Sequence, residues 1–274
     1  MWHEWWRDDR APRQWSGELE TVAGAVVWTS SAPGVEWGTF RLSGGGEAWR
    51  LRVIVARLDP SRVTLSLAGT HEPPGRGRGW TIEQAPGVAL VAFNAGQFSD
   101  AGPWGWVVRD GLEVRPPGYG PLAPAVVVDS SGRVRLIAAD SVGIVRQEPG
   151  IALAFQSYPA VLVRDGDVPR QLFDEGSGVN LRHRDARLAL GLHRDGRILV
   201  AMTRFEALGG ALSNLPFGLT TPEMAAVMGA LGASRAVLLD GGISSQMLVR
   251  ETTGTVHTWR GIRQVPLGLV AVGR

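Results

Sequence analysis

Apolar positions in this chain gather in short runs, and Gly, Pro, Asp and Ser punctuate them. Runs of this kind read as strands and the punctuation as turns. Val53–Leu58 and Val63–Leu67 flank Asp59-Pro60-Ser61, which predicts a hairpin. Val88–Phe93 reads V-A-L-V-A-F, a continuous apolar run expected of a buried strand. Val126–Asp129 and Arg133–Ile137 bracket Ser130-Ser131-Gly132 as a second predicted hairpin. Ala160–Val163, Leu188–Leu192, Ile198–Met202, Met247–Val249 and Val265–Val272 continue the strand pattern. Arg-Asp-Gly recurs at 109–111, 164–166 and 194–196. Asp-Gly between apolar runs marks a hairpin turn, because glycine supplies the positive φ.

One segment switches clearly to helical spacing. Met224, Val227, Met228 and Leu231 fall on one face of a helix predicted over Pro222–Leu231. Thr221 is the expected cap, Pro222 takes the first helical position, Glu223 suits the positive end of the dipole, and Gly232 stops it. The strand Ala236–Leu239 follows at once and leads into Asp240. Thr81–Ala85 predicts a short helix capped by Thr81. Residues 1–20 place Trp2, Trp5, Trp6 and Trp15 among charges. They are expected as an N-terminal appendage, either an amphipathic helix on the body or a poorly ordered tail, ahead of a domain over residues 21–274. The fold class that follows is α+β, a large mixed or antiparallel sheet with few helices.

Composition narrows the function classes. At 274 residues with 44% hydrophobic and 20% charged positions, the chain can bury a sizeable core. Its formal net charge is only +2, and all 28 basic residues are arginine, so a high isoelectric point does not signal a strong field at neutral pH. No dense basic run points to nucleic acid; Arg76-Gly77-Arg78 reads as loop charge. Absence of cysteine excludes disulfides, thiolate metal sites and cysteine nucleophiles. No apolar run reaches the roughly 18 residues of a membrane span, and the N-terminal M-W-H-E-W-W-R lacks a signal peptide's apolar stretch. His3, His71, His183, His193 and His257 show no metal-ligand spacing, and no nucleotide-binding or serine-hydrolase motif occurs.

Two loops carry candidate chemistry. Asp240-Gly241-Gly242-Ile243-Ser244-Ser245 puts an acid at the end of a buried strand, followed by glycines and hydroxyls that can turn donors toward an anion. It also reads as a fourth Asp-Gly hairpin. Asn94-Ala95-Gly96-Gln97-Phe98 repeats the layout after another buried strand, and two such strand ends invite one shared pocket. Asn94 alternatively caps a turn through its own side chain. Arg187, opening the strand at Leu188, has the fork geometry to hold a phosphate, or serves as an exposed structural arginine.

These residues resemble the phosphodiester glycosidase domain family, from about Gly34 to Val272 and in the same order. The family's N-G-G-F-F corresponds to Asn94-Ala95-Gly96-Gln97-Phe98, its R-T-a-v-G to Arg187-Leu188-Ala189-Leu190-Gly191, and its long L-D-G-G-G-S-S-t-M segment to Leu239 through Met247. The resemblance implies hydrolysis of a sugar joined through its anomeric carbon to a phosphodiester. It implies a catalytic set of Asp240, Arg187 on the phosphate and Asn94 lining the pocket, with Gly96, Gly241, Gly242, Ser244 and Ser245 binding the substrate. Asp185 is one possible partner carboxylate. No cofactor is implied, and a divalent metal is left open. The expected partner is a carbohydrate phosphodiester or glycan, and relatives of this type commonly work outside the cytoplasm. Ala95, Gln97, Leu188 and Ile243 depart from the pattern. They point to an altered substrate or to a non-catalytic glycan- or phosphate-binding domain that keeps the fold.

Overall fold

The computed structural model describes residues 4–7, 9–42, 50–69, 79–174, 176, 178–206 and 217–274. Trp2, His3, His71 and Arg76-Gly77-Arg78 lie outside the described residues. The architecture is α+β and dominated by antiparallel sheet. A seven-stranded sheet runs in the order Thr29–Ala32, Val35–Leu42, Leu51–Leu58, Ile198–Phe205, Leu188–His193, Ala233–Leu238, Ala160–Leu162. One five-stranded sheet has the order Val134–Ile137, Ala125–Asp129, Ile151–Gln156, Val107–Arg109, Leu112–Arg115. A second has Val256–Trp259, Met247–Arg250, Ala89–Asn94, Leu267–Gly273, Val63–Gly69.

The seven-stranded sheet is the middle layer, and its strands show why their sequences read as unbroken apolar runs. Side chains alternate between faces, and here both faces are covered. Val53, Val55, Ala189, Leu199, Ala201 and Leu238 enter one core with the helix Thr221–Ala230. Ile54, Ala56, Leu188, Leu190, Val200 and Val237 enter a second core with Phe93 and Met247 of one five-stranded sheet and Val126 and Phe155 of the other.

The Asp-Gly turns form as expected. Asp110 and Gly111 take positive φ between Val107–Arg109 and Leu112–Arg115, and Gly196 does so between Leu188–His193 and Ile198–Phe205. The hairpin at Ser130-Ser131-Gly132 is also present. The one expected around Asp59-Pro60-Ser61 is not. The turn is there, with Asp59 accepting from Ser61 N at 2.9 Å. The strands it joins then diverge, Leu51–Leu58 into the seven-stranded sheet and Val63–Gly69 beside Leu267–Gly273. Thr81 caps a short helix as expected, a 3-10 turn over Ile82–Gln84, with Gln84 Oε1 accepting from Thr81 N at 2.6 Å.

The long helix starts one residue early, with Thr220 as cap. Thr220 Oγ1 accepts from Glu223 N, and Glu223 Oε2 accepts from Thr220 N at 3.0 Å, a reciprocal capping box. The helix is buried all round instead of on one face, because the Trp-rich segment covers its other side. Trp6 and Trp15, expected in an appendage, are 1% and 5% exposed and belong to the first core. Glu223, also buried, ties three elements together: Arg184 grips it bidentately at 2.6 and 2.8 Å, and Arg7 reaches it at 3.3 Å.

Gly229 makes the closeness of the Trp15 contact testable. A Cβ at that position would fall inside the van der Waals envelope of the Trp15 ring. Alanine raises helix propensity by about 1 kcal/mol, yet overpacking against a rigid indole costs about 2–3 kcal/mol. Gly229→Ala is therefore expected to destabilise the protein by about 1–2 kcal/mol in urea unfolding. Pairing it with Trp15→Ala should erase that cost. An equally stable single variant would mean that Trp15 does not bear on the helix.

Candidate active site

Asp240 follows the strand Ala233–Leu238, which belongs to the seven-stranded sheet, and the next strand, Met247–Arg250, belongs to a five-stranded sheet. The segment between them is thus a crossover between layers and not a fourth hairpin. It folds as a 3-10 turn over Gly242–Ser244. Gly242 takes φ +58°, where a Cβ would lie 2.7 Å from Asp185 Oδ2, and a Cβ on Gly241 would lie 2.6 Å from the Ala186 carbonyl. Both glycines are needed for the loop to press against the 185–187 segment. Ile243 does not take positive φ, so the β-branched residue carries no backbone strain, and its side chain is 41% exposed.

The two candidate loops are locked together as their parallel layout suggested. Asn94, fully buried, donates through Nδ2 to the Asp240 carbonyl at 2.8 Å and accepts from Gln246 N at 3.0 Å. Asp240 N donates to the Gly96 carbonyl at 3.2 Å. Asn94 and Gly96 therefore hold the loop from beneath. Ala95 and Leu188 are core residues, 3% and 0% exposed. Gln97 donates to the Tyr158 carbonyl at 2.9 Å and faces the cleft.

That cleft, about 630 Å³, is lined by Asp240, Gly241, Asp185 and Arg187, with Phe98, Trp104, Tyr119 and Tyr158 as aromatic walls. Burial pushes the Asp240 carboxyl up to about 6; the nearby charge of Asp185 adds to this, while a hydrogen bond from Ser244 and the charge of Arg263 oppose it. Burial also raises Asp185, against the pull of Arg187, the Ala186 N–H and His183. His183 Nε2 lies 3.5 Å from Asp185 Oδ2.

Arg187 is held in one orientation by two carbonyls, Nε to Leu219 at 2.8 Å and Nη2 to His183 at 2.6 Å. Its Nη1 carries no protein partner among the described residues. Burial lowers its pKa, opposed by the charges of Asp185 and Glu223; an arginine stays cationic regardless. The backbone donors of the loop are mostly spent inside the protein. Gly242 N–H goes to the Ala186 carbonyl at 2.7 Å, Ser244 N–H to Gly241, and Ser245 N–H to Gly242. Ser244 and Ser245 are 3% and 0% exposed, so they shape the loop from inside. Gly241 is the member of the loop's 241–245 stretch that lines the cleft.

Two arginines escaped the reading of the sequence. Arg204, 4% exposed, donates to the carbonyls of Ser245 and Arg260 and so clamps the back of the loop; burial alone lowers it to about 10. Arg263 lies over the Phe98 ring at 4.7 Å and acts on Asp240 through its charge. Neither sits in a motif, and only the long-range packing brings them here. Among the described residues no three His, Asp or Glu side chains cluster to hold a metal ion, and no helix is long and apolar enough to cross a membrane.

Solved structures share this fold. The catalytic domain of zebrafish N-acetylglucosamine-1-phosphodiester alpha-N-acetylglucosaminidase, auto-inhibited by its pro-peptide, superposes with TM-score 0.66 at 18% identity, over 100% of this chain and 94% of that one. A hypothetical protein from Synechocystis gives 0.55 at 16% identity over 91% and 64% of the two chains. A Burkholderia pseudomallei protein designated as exported gives 0.51 at 18% identity over 81% and 74%. A search of curated proteins finds no match. The sequence profile of phosphodiester glycosidases matches residues 87–272, a span that contains Asn94, Asp185, Arg187 and the Asp240 loop, and the chain belongs to that family.

Proposed function

We propose that the protein hydrolyses the glycosidic bond of a sugar whose anomeric carbon is esterified through a phosphodiester. The observation that carries this reading is the meeting of two partly buried carboxylates and an immobilised arginine in one aromatic-walled cleft. Arg187 holds the phosphodiester oxygens through Nη1, beside Gly241. Asp240 takes a proton from a water as its oxygen adds to C1; a group titrating near working pH is well matched to that task. The C1–oxygen bond breaks and the phosphate monoester leaves with its electron pair, needing little protonation. Asp185 supplies negative charge beside the oxocarbenium-like transition state. Asn94 and Gly96 keep the carboxylate in place, and the aromatic walls suit the apolar face of a sugar ring. An extracytoplasmic location goes with this reading, in keeping with the structural neighbour that is designated as exported.

The bond that breaks can be identified directly. Hydrolysis of an α-linked N-acetylglucosamine 1-(methyl phosphate) in ¹⁸O-water should place the label on the sugar hemiacetal and leave the methyl phosphate unlabelled. Label in the phosphate would make the protein a phosphodiesterase. Binding of the diester without turnover would make it a binding domain that kept the fold.

A further inference from the structure

A second and larger depression adjoins the cleft. It measures about 1040 Å³, and Gly120 and Pro121 line both. The edge strand of the seven-stranded sheet leads from one to the other: Tyr158 and Pro159 face the cleft, Ala160 and Leu162 the groove. The edge strand of a five-stranded sheet, through Leu136 and Ile137, forms the opposite side.

The lining of the groove differs in kind from that of the cleft. Its floor is aliphatic, with Leu122, Leu136, Leu162 and Val145, each less than 10% exposed. Aromatic residues, which suit sugar rings, are confined to the cleft. The rim is cationic. Arg164 and Arg170 are exposed and carry no ion pair among the described residues, and Arg13 and Arg235 join them against Asp140 and Asp167.

We propose that this groove takes the aglycone, and that the aglycone is a hydrocarbon chain, so that the substrate is a sugar 1-phosphodiester of a lipid alcohol. The claim rests on the glycosidase reading for its catalytic half only. The sugar lies between the aromatic walls, the phosphate at Arg187, and the chain on the aliphatic floor. A solvated polyol phosphate chain would gain nothing from that floor. A bare hydrocarbon would gain nothing from Arg187, whereas the anionic head of an alkyl phosphate reaches it while the chain lies on the floor.

The probes are decyl phosphate, kept below its micelle concentration, with glycerol 3-phosphate and inorganic phosphate as references, titrated calorimetrically into the full chain. Each methylene leaving water strengthens binding about three- to fourfold, so decyl phosphate should bind at least about 100-fold more tightly than either reference. Ala138 is exposed on the groove and far from the catalytic groups in sequence and lining. Ala138→Trp should obstruct the groove, abolish that advantage, and slow hydrolysis of a decyl sugar 1-phosphodiester. Hydrolysis of the methyl diester should stay unchanged, which also shows that the variant is folded. Equal affinity for decyl and glycerol phosphates, or a decyl affinity untouched by Ala138→Trp, would overturn the proposal. If neither diester is cleaved while decyl phosphate still binds and Ala138→Trp removes it, the glycosidase reading fails and the groove assignment stands.

Discussion

Replacing Asp240 by asparagine is expected to cut hydrolysis of a sugar 1-phosphodiester by about 10³-fold, at the middle of the range for a lost general base, while making the protein more stable at neutral pH. The second half follows from the same burial. The folded carboxyl titrates at about 6, above the roughly 3.9 of an unfolded aspartate. A folded pKa raised in this way means that the folded state binds the proton more tightly than the unfolded chain. The stability this supplies is complete below about pH 4 and is lost as pH rises toward about 6. Above that range the protein holds a charge that burial disfavours, at a cost of about 3 kcal/mol. Asparagine resembles the neutral form and avoids that cost. Urea unfolding across pH should therefore show Asp240→Asn gaining on the parent from about pH 4 to 6 and level above. In the parent, kcat/KM should rise with pH through about 6 as the base ionises. A gap in stability that does not change with pH would remove the buried carboxylate from the account, and full activity in the variant would remove its catalytic role.

Asn94→Ala is expected to damage the same site from below. The substitution deletes both partners of a buried pair of backbone groups, the Asp240 carbonyl and the Gln246 N–H. Leaving two such groups unpaired costs about 3 kcal/mol. Because Asn94 is fully buried and touches the loop backbone, its loss should appear chiefly in kcat. A carboxylate displaced by about 1 Å loses about 10²-fold, whereas KM should change little. Asn94→Asp keeps the acceptor for Gln246 but turns a carboxylate on the Asp240 carbonyl, so it should rescue neither stability nor rate. A variant with normal kcat and a raised KM would instead mean that Asn94 contacts substrate.

Much of this could be read from the residues alone, wherever the signal is local. Turns at Asp110-Gly111 and at Gly196 formed because glycine's freedom at positive φ does not depend on what surrounds it. The turn at Asp59 formed for a similar reason, but its two strands went to different sheets. Local pattern says that a strand begins, and only distant partners decide which sheet receives it. The helix cap shows the reverse. Two threonines stand side by side, and the one with a glutamate three residues later, Thr220, is the cap; capping-box spacing would have chosen it. Asp240 and Arg187 carry a motif, and the cleft brings them together with Asp185. Arg204 and Arg263 have none, since what recruits them is a carbonyl or a ring that the fold delivers from far along the chain.

The order of strands in the central sheet also sets a timetable for the newborn chain. Leu51–Leu58 has Val35–Leu42 on one side, but its other neighbour is Ile198–Phe205. Ala89–Asn94, which bears Asn94, pairs among the described residues with Met247–Arg250 and Leu267–Gly273. Synthesis at about 5–20 residues per second leaves these apolar strands waiting roughly 7–30 s for partners. Closing such long loops before any contact rewards them makes folding slow. The Asp240 loop, strung between the central sheet and a five-stranded sheet that includes the last strand, is therefore assembled only when nearly the whole chain is present. Until then the apolar strand that carries Asn94 lacks its partners and is exposed to aggregation.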